Sequence, residues 1–207
     1  EIRLSLVGSE MCIRDSIRDI LGAIGDLKQE GVLPDAFAAL VRAEQKEFDL
    51  IEDLHHEKGA HKGQMKGKYQ QQEKQITKHA ELAKLYAEYQ KELRKRKAYD
   101  YDDMVVEVAL ALEKNQGLRF TLQEQYLYLL VDEHQDTNRS QNKVIELLAS
   151  FHENPNLFVV GDEKQAIYRF QGASVENFTY FQKKFKGAKV IALKDNNRSH
   201  QTILDAA

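Results

Sequence analysis

Tyr126-Leu127-Tyr128-Leu129-Leu130-Val131 runs without a break into Asp132-Glu133-His134-Gln135-Asp136-Thr137-Asn138. The apolar run has the length of a strand, and the acidic pair ends it. In an α/β protein, a buried strand that stops at two carboxylates sets them at the carboxyl edge of a sheet, where such proteins bind ligands. Nucleotide hydrolysis uses both: one carboxylate holds Mg2+, usually through its water shell, and a neighbour orients and deprotonates the attacking water. A strand followed by a plain acidic turn is the other reading, and the pair alone does not separate the two.

The next block downstream is Phe158-Val159-Val160-Gly161-Asp162-Glu163-Lys164-Gln165-Ala166-Ile167-Tyr168-Arg169-Phe170-Gln171-Gly172-Ala173. Again a strand-length run ends in a Gly-acid turn. Gln165 follows, able to hydrogen-bond a phosphate or the carboxylates. Tyr168 and Phe170 flank Arg169 and would give bases a stacking surface worth ~1–3 kcal/mol per base, although such aromatics by themselves are as readily core. A third block, Leu193-Lys194-Asp195-Asn196-Asn197-Arg198-Ser199-His200, sets an Arg after a third apolar run, Val190 to Leu193, and before a helix expected to be capped by Ser199. Helical periods fill the intervals, at Tyr101 to Leu112, Ser140 to Ala149, Val175 to Phe185 and from Ser199 onward. Short strands alternating with helices predict a parallel α/β arrangement.

In order, the three blocks resemble motifs II, III and IV of the UvrD/Rep-like superfamily 1 DNA helicases, carried by DEHQDTN, VVGDEKQAIYRFQGA and LKDNNRSHQTIL. Tyr99-Asp100-Tyr101-Asp102-Asp103-Met104 looks like the acidic-aromatic segment that precedes motif II in that family. The resemblance covers Ile17 to Ala207. It implies a partial RecA-like parallel sheet lobe of the P-loop NTPase type with a mostly α-helical insertion. It also implies ATP and Mg2+ as cofactors, with single-stranded DNA and duplex junctions as partners beside unidentified repair or recombination proteins. On it, Asp132 would be the Mg2+ carboxylate, Glu133 the general base, and Gln165 a γ-phosphate contact. Arg198 would reach the γ-phosphate from the second lobe, and Tyr168 and Phe170 would stack on bases. Asn197, Gln171 and His134 depart from the family's usual Tyr, Arg, and Phe or Tyr. No Gly-x-x-x-x-Gly-Lys-Ser/Thr occurs, which predicts an internal piece of a longer enzyme, inactive alone. A non-catalytic single-stranded nucleic-acid-binding module derived from a helicase lobe is the alternative.

Upstream of this region the texture is helical. Ile17, Ile20, Leu21, Ile24 and Leu27 recur at helical spacing up to Gly31, and Leu33-Pro34-Asp35 opens a second helix. Its apolar face is expected to include Phe37, Leu40, Val41, Phe48, Ile51 and Leu54, with a loop over Gly59 to Gly67. A third helix carries Ile76, Leu82, Leu85, Tyr86, Tyr89 and Leu93 and ends in Arg94-Lys95-Arg96-Lys97. From Lys84 to Lys97 there are six Lys or Arg against two Glu, which suits either a DNA-facing surface or a solvated helix end whose cations complement the dipole. The expected division is 17–98 for the insertion, 99–194 for the later half of the first lobe and 195–207 for the start of the second. Residues 1–16 resemble a translated sequencing-adaptor read-through and are set apart.

Composition narrows the classes further. The 207 residues are 42% hydrophobic with a net charge of −3, so a core is affordable and charge alone names no partner. No stretch approaches the ~20 apolar residues of a membrane span. A single cysteine, Cys12, excludes an internal disulfide and a Cys-rich zinc site, and fits a reducing, cytoplasmic compartment.

Overall fold

The computed structural model describes residues 10–56, 58, 61–162, 176–193, 195–196 and 198–206. Helix α1 spans Glu10–Gln29, so it begins inside the segment that sequence set apart. It stops where expected: Gly31 takes φ +70°, and the Gly31 and Val32 N–H groups bond back to the Lys28 and Leu27 carbonyls at 2.9 and 2.8 Å. The left-handed turn suits glycine, and Ser140 Oγ lies 3.4 Å from where a Cβ would stand.

Helix α2, Pro34–Asp49, starts with proline at its first turn, where the missing N–H is no loss. It ends before Ile51 and Leu54, which the sequence placed on its apolar face. The chain turns there instead, and Phe48, Leu54 and Ile76 are buried together with Ile51, Met65 and Tyr69 against them. Each buried apolar side chain of this size is worth about 1.5–3 kcal/mol relative to exposure. Isolated bridges pair His55 with Met65 and His56 with Lys62. Asp53 closes the base of this loop: Lys68 at 2.7 Å, the Tyr69 hydroxyl and Lys66 at 3.3 Å hold its carboxyl well below the usual range.

Helix α3, Gln70–Lys95, packs along α2 and buries Ile76, Ala83, Tyr86 and Gln90. At its end Glu92 pairs with Arg96 at 2.8 Å and Lys95 at 3.8 Å. Part of the basic run is thus engaged locally, as a helix terminus favours.

The junction between the helical region and the rest is charged and largely buried. Lys28 is 1% exposed, and its ammonium lies 2.5 Å from Asp100 and 2.7 Å from Asp103. It also donates to Gln90 Oε1 at 3.2 Å and sits 5.0 Å from the Tyr89 ring. Burial, then the bond its hydroxyl donates to Asp100, pushes the Tyr89 phenol up to about 12. Burial alone would raise the Asp100 carboxyl, but the Lys28 ammonium and the Asp103 backbone N–H outweigh it and hold it low. Asp100 and Asp103 cap helix α4, Tyr101–Lys114, reciprocally.

Helix α5, Gln116–Gln125, is not among the helices the sequence predicts; the Asn115 side chain caps it by accepting the Leu118 N–H at 2.9 Å. Helix α6, Arg139–Ala149, follows a capping box of Asn138 and Gln141. The strands are shorter than their apolar runs: β1 is Leu129–Val131 and β2 is Leu157–Val159. They pair in parallel, Leu129 with Leu157, Leu130 with Phe158 and Val131 with Val159. Val190 to Leu193, expected as a third strand, forms none. Helix α7 is Glu176–Lys184, and α8, Gln201–Leu204, is capped by the His200 side chain rather than by Ser199. The whole is helix-rich α/β with a small parallel sheet. Among the described residues, no helix is long and apolar enough to cross a membrane.

Candidate functional site

The carboxyl ends of β1 and β2 are stitched together one step beyond the ladder. Val160 N–H donates to the Val131 carbonyl at 2.8 Å, and His134 N–H to the Val160 carbonyl at 3.0 Å. Between those bonds Asp132 and Glu133 stand exposed at the sheet edge, as the sequence predicted. Asp132 Oδ1 accepts the Glu133 N–H at 2.9 Å, which orients that carboxylate. Glu133 adopts φ 48°, ψ 42°, a left-handed conformation that few non-glycine residues take. Strained backbone of this kind costs about 1–3 kcal/mol and persists only where its surroundings fix it.

What fixes it is the short 3-10 turn His134–Asp136. His134 is buried and meets the Phe181 ring of α7 edge-on, with centroids 5.5 Å apart. Its imidazole therefore fills an aromatic place. Thr137 Oγ1 donates to the His134 carbonyl at 2.7 Å and lies 3.2 Å from Asn142 Oδ1, which ties the turn to α6. Gln135 is also buried. Its amide nitrogen lies 2.5 Å from Glu133 Oε2 and 3.4 Å from Asp136 Oδ2, and its Oε1 accepts the Asp162 N–H at 3.0 Å.

The structure therefore joins Glu133, through Gln135, to the Gly161-Asp162 turn of the second block. Gln165, Tyr168, Phe170 and Gln171 lie outside the described residues, as does Asn197. Arg198 is exposed, with its backbone N–H on Asn196 Oδ1 at 3.0 Å; among the described residues no ion pair joins it to Asp132 or Glu133. Nor do the described residues contain a cluster of three or more His, Cys, Asp or Glu able to cage a metal. A single oriented carboxylate at a sheet edge instead suits Mg2+, which keeps several waters and takes one or two carboxylates plus substrate phosphates.

A family model, UvrD/REP helicase N-terminal domain, matches residues 14–186. The chain belongs to that family. Its match with the ATP-dependent DNA helicase PcrA of Leuconostoc citreum is 39% identical over 126 residues, 61% of this chain and 17% of that protein. PcrA of Staphylococcus aureus (strain NCTC 8325 / PS 47) and PcrA of Bacillus subtilis (strain 168) match with the same identity and the same shares. The chain thus spans 17% of the length of these curated relatives. For a member of the UvrD/REP family, the matched span takes in the Asp132-Glu133 edge and the whole second block, and it stops short of Arg198.

Sequence reasoning missed Gln135 and Lys28. The signal for Gln135 was an amide close to Glu133 and Asp136 at a strand end; for Lys28 the sequence carries none, because Arg94 to Lys97 stand next to Asp100 and Asp103 along the chain and only the fold brings Lys28 onto them.

Proposed function

We propose that this chain is part of the first motor lobe of an ATP-dependent DNA helicase or translocase, with a RecA-like sheet of the P-loop NTPase type. Mg-ATP hydrolysis there would drive movement on single-stranded DNA and unwinding at duplex junctions. The observation that supports this most is the Asp132-Glu133 pair, held by a strained turn at the carboxyl edge of two parallel strands. That is an expensive way to make a plain acidic turn, and strain of this sort collects at functional sites.

In this reading Asp132 would hold Mg2+, which would supply charge neutralisation on the phosphates. Glu133 orients the attacking water and takes its proton. Gln165 and Arg198 contact the γ-phosphate, Arg198 adding positive charge where negative charge builds during transfer. Tyr168 and Phe170 stack on bases and tie strand position to the segment that carries Gln165. Residues 17–98 form the insertion that overlies DNA, and 195–207 open the second lobe. The phosphate cradle comes from sequence outside these 207 residues, and repair or recombination proteins are the expected company.

In the natural full-length protein, Glu133→Gln keeps Mg-ATP binding and loses turnover, because an amide accepts a hydrogen bond but cannot take a proton. Steady-state ATPase measured beside nucleotide binding is the test. Turnover equal to the parent's removes Glu133 from the role and favours a nucleic-acid-binding module without catalysis.

A further inference from the structure

The two ends of the Gln135 amide are used by two different segments, and the chemistry fixes which end is which. Carboxylates only accept and a backbone N–H only donates. The amide nitrogen therefore faces Glu133 and Asp136 while Oε1 faces the Asp162 N–H; a flipped amide would set acceptor against acceptor and donor against donor. Gln135 is 2% exposed, so water offers no alternative partner to hold it in place. Glu133, in contrast, is exposed, and an exposed glutamate ordinarily explores several rotamers. The hydrogen bond at Oε2 selects among them.

We infer that Gln135 is a positioning residue that sets the Glu133 carboxylate by reference to the backbone of the Gly161-Asp162 turn. This rests on the reading of Glu133 as the base. Asp162 lies three residues before Gln165 and six before Tyr168. The amide is thus a rigid planar link between the Asp162 backbone and the proton acceptor. Placement matters at this point because a misplacement of about 1 Å costs on the order of 10²-fold in rate.

The test uses the natural full-length protein, with ATP hydrolysis measured with and without single-stranded DNA. Gln135→Met keeps chain length and loses all three bonds. It should lower DNA-stimulated kcat by about 10- to 100-fold while the KM for ATP and the thermal midpoint stay close to the parent's. Glu133→Gln is run beside it, and the double variant should be no slower than Glu133→Gln alone, since the amide acts only through that carboxylate. If Gln135→Met keeps the parent's kcat while Glu133→Gln is dead, Gln135 has no positioning role. A joint fall of kcat, ATP affinity and thermal midpoint makes it structural and equally overturns the inference. Turnover by Glu133→Gln overturns the base reading itself. Should Gln135→Met not fold, Gln135→Glu preserves the acceptor for Asp162 N–H and carries the same comparison; parental kcat in it ends the proposal.

Discussion

Tyr86 on α3 is fully buried, whereas Leu130 on β1, more apolar still, is 77% exposed. Its register partner Phe158 is 58% exposed on the neighbouring strand. The helical region closes on itself: α2 and α3 enclose Phe48, Leu54 and Ile76, and α1 packs against α3, α4 and α6. The sheet does not. Two strands have two faces and two open edges, and a pair this small is marginal unless helices or further strands cover it. The candidate edge therefore stands on the less enclosed part of the molecule, and the more enclosed part meets it through the packing of α1 on α4 and α6 and through the buried Lys28 junction. Order at Asp132 and Glu133 is borrowed, by way of the His134–Asp136 turn and α6, from helices whose own packing has nothing to do with phosphate.

The largest effect should come from breaking that junction. Lys28→Met leaves the Asp100 and Asp103 carboxylates without their ammonium, and removal of one partner from a buried pair costs about 3–5 kcal/mol. Urea unfolding at neutral pH measures it, and a cost below about 1 kcal/mol would make the junction no stronger than a surface pair. Acid adds a second readout. The Asp100 carboxyl sits below its ordinary value, so its contribution is complete above about pH 4 and is lost as the pH falls through its lowered folded value. Lys28→Met should lack that part of the acid loss.

A smaller change sharpens the same contrast inside the closed region. The Tyr86 hydroxyl donates to the Val32 carbonyl at 3.2 Å, across the α1–α2 connection. Tyr86→Phe should cost about 0.5–1.5 kcal/mol, read as a shift in unfolding midpoint with an unchanged denaturant slope. The smallest effect is expected at the sheet. Leu130→Thr in this chain should stay within about 0.5 kcal/mol of the parent, as exposed substitutions do, and amide exchange at Leu129 to Val131 should be faster than at Ile76 or Tyr86. A loss of 2 kcal/mol or more would show that Leu130 is covered in solution and would erase the contrast.

The strand ending at Asp132 was legible because an apolar run followed by two carboxylates has few structural solutions, and the helical periods at 101–112 and 140–149 were legible from side-chain spacing alone. Other features depend on contacts that spacing does not encode. Ile51 and Leu54 continue the period of α2, yet they reach the same neighbours by turning underneath it, since Met65 and Tyr69 return to meet them. Val190 to Leu193 has the composition of a strand and no strand partner among the described residues. Lys28 reads as an ordinary helix-end cation, and only the fold brings Asp100 and Asp103, more than 70 residues away, onto it. At the candidate site, residue identity announced the carboxylates. The bond from Gln135 to Asp162 could not be read, because it joins two blocks that sequence sees as separate.

Ser140 Oγ donates to the Lys28 carbonyl at 2.6 Å, pinning the first turn of α6 to the last turn of α1. Considered mechanically, α1 from Ile17 onward is a rod about 20 Å long held at its last turn by this bond and by the ammonium of the same lysine. The grip lies seven residues along the chain from Glu133. A tilt of about 5° swings the far end of such a rod by about 1.7 Å and barely translates the gripped end. The lever runs in the favourable direction for a delicate site: loads on the outlying end of α1 arrive at α6 as torque, and the turn that holds Glu133 is spared the travel.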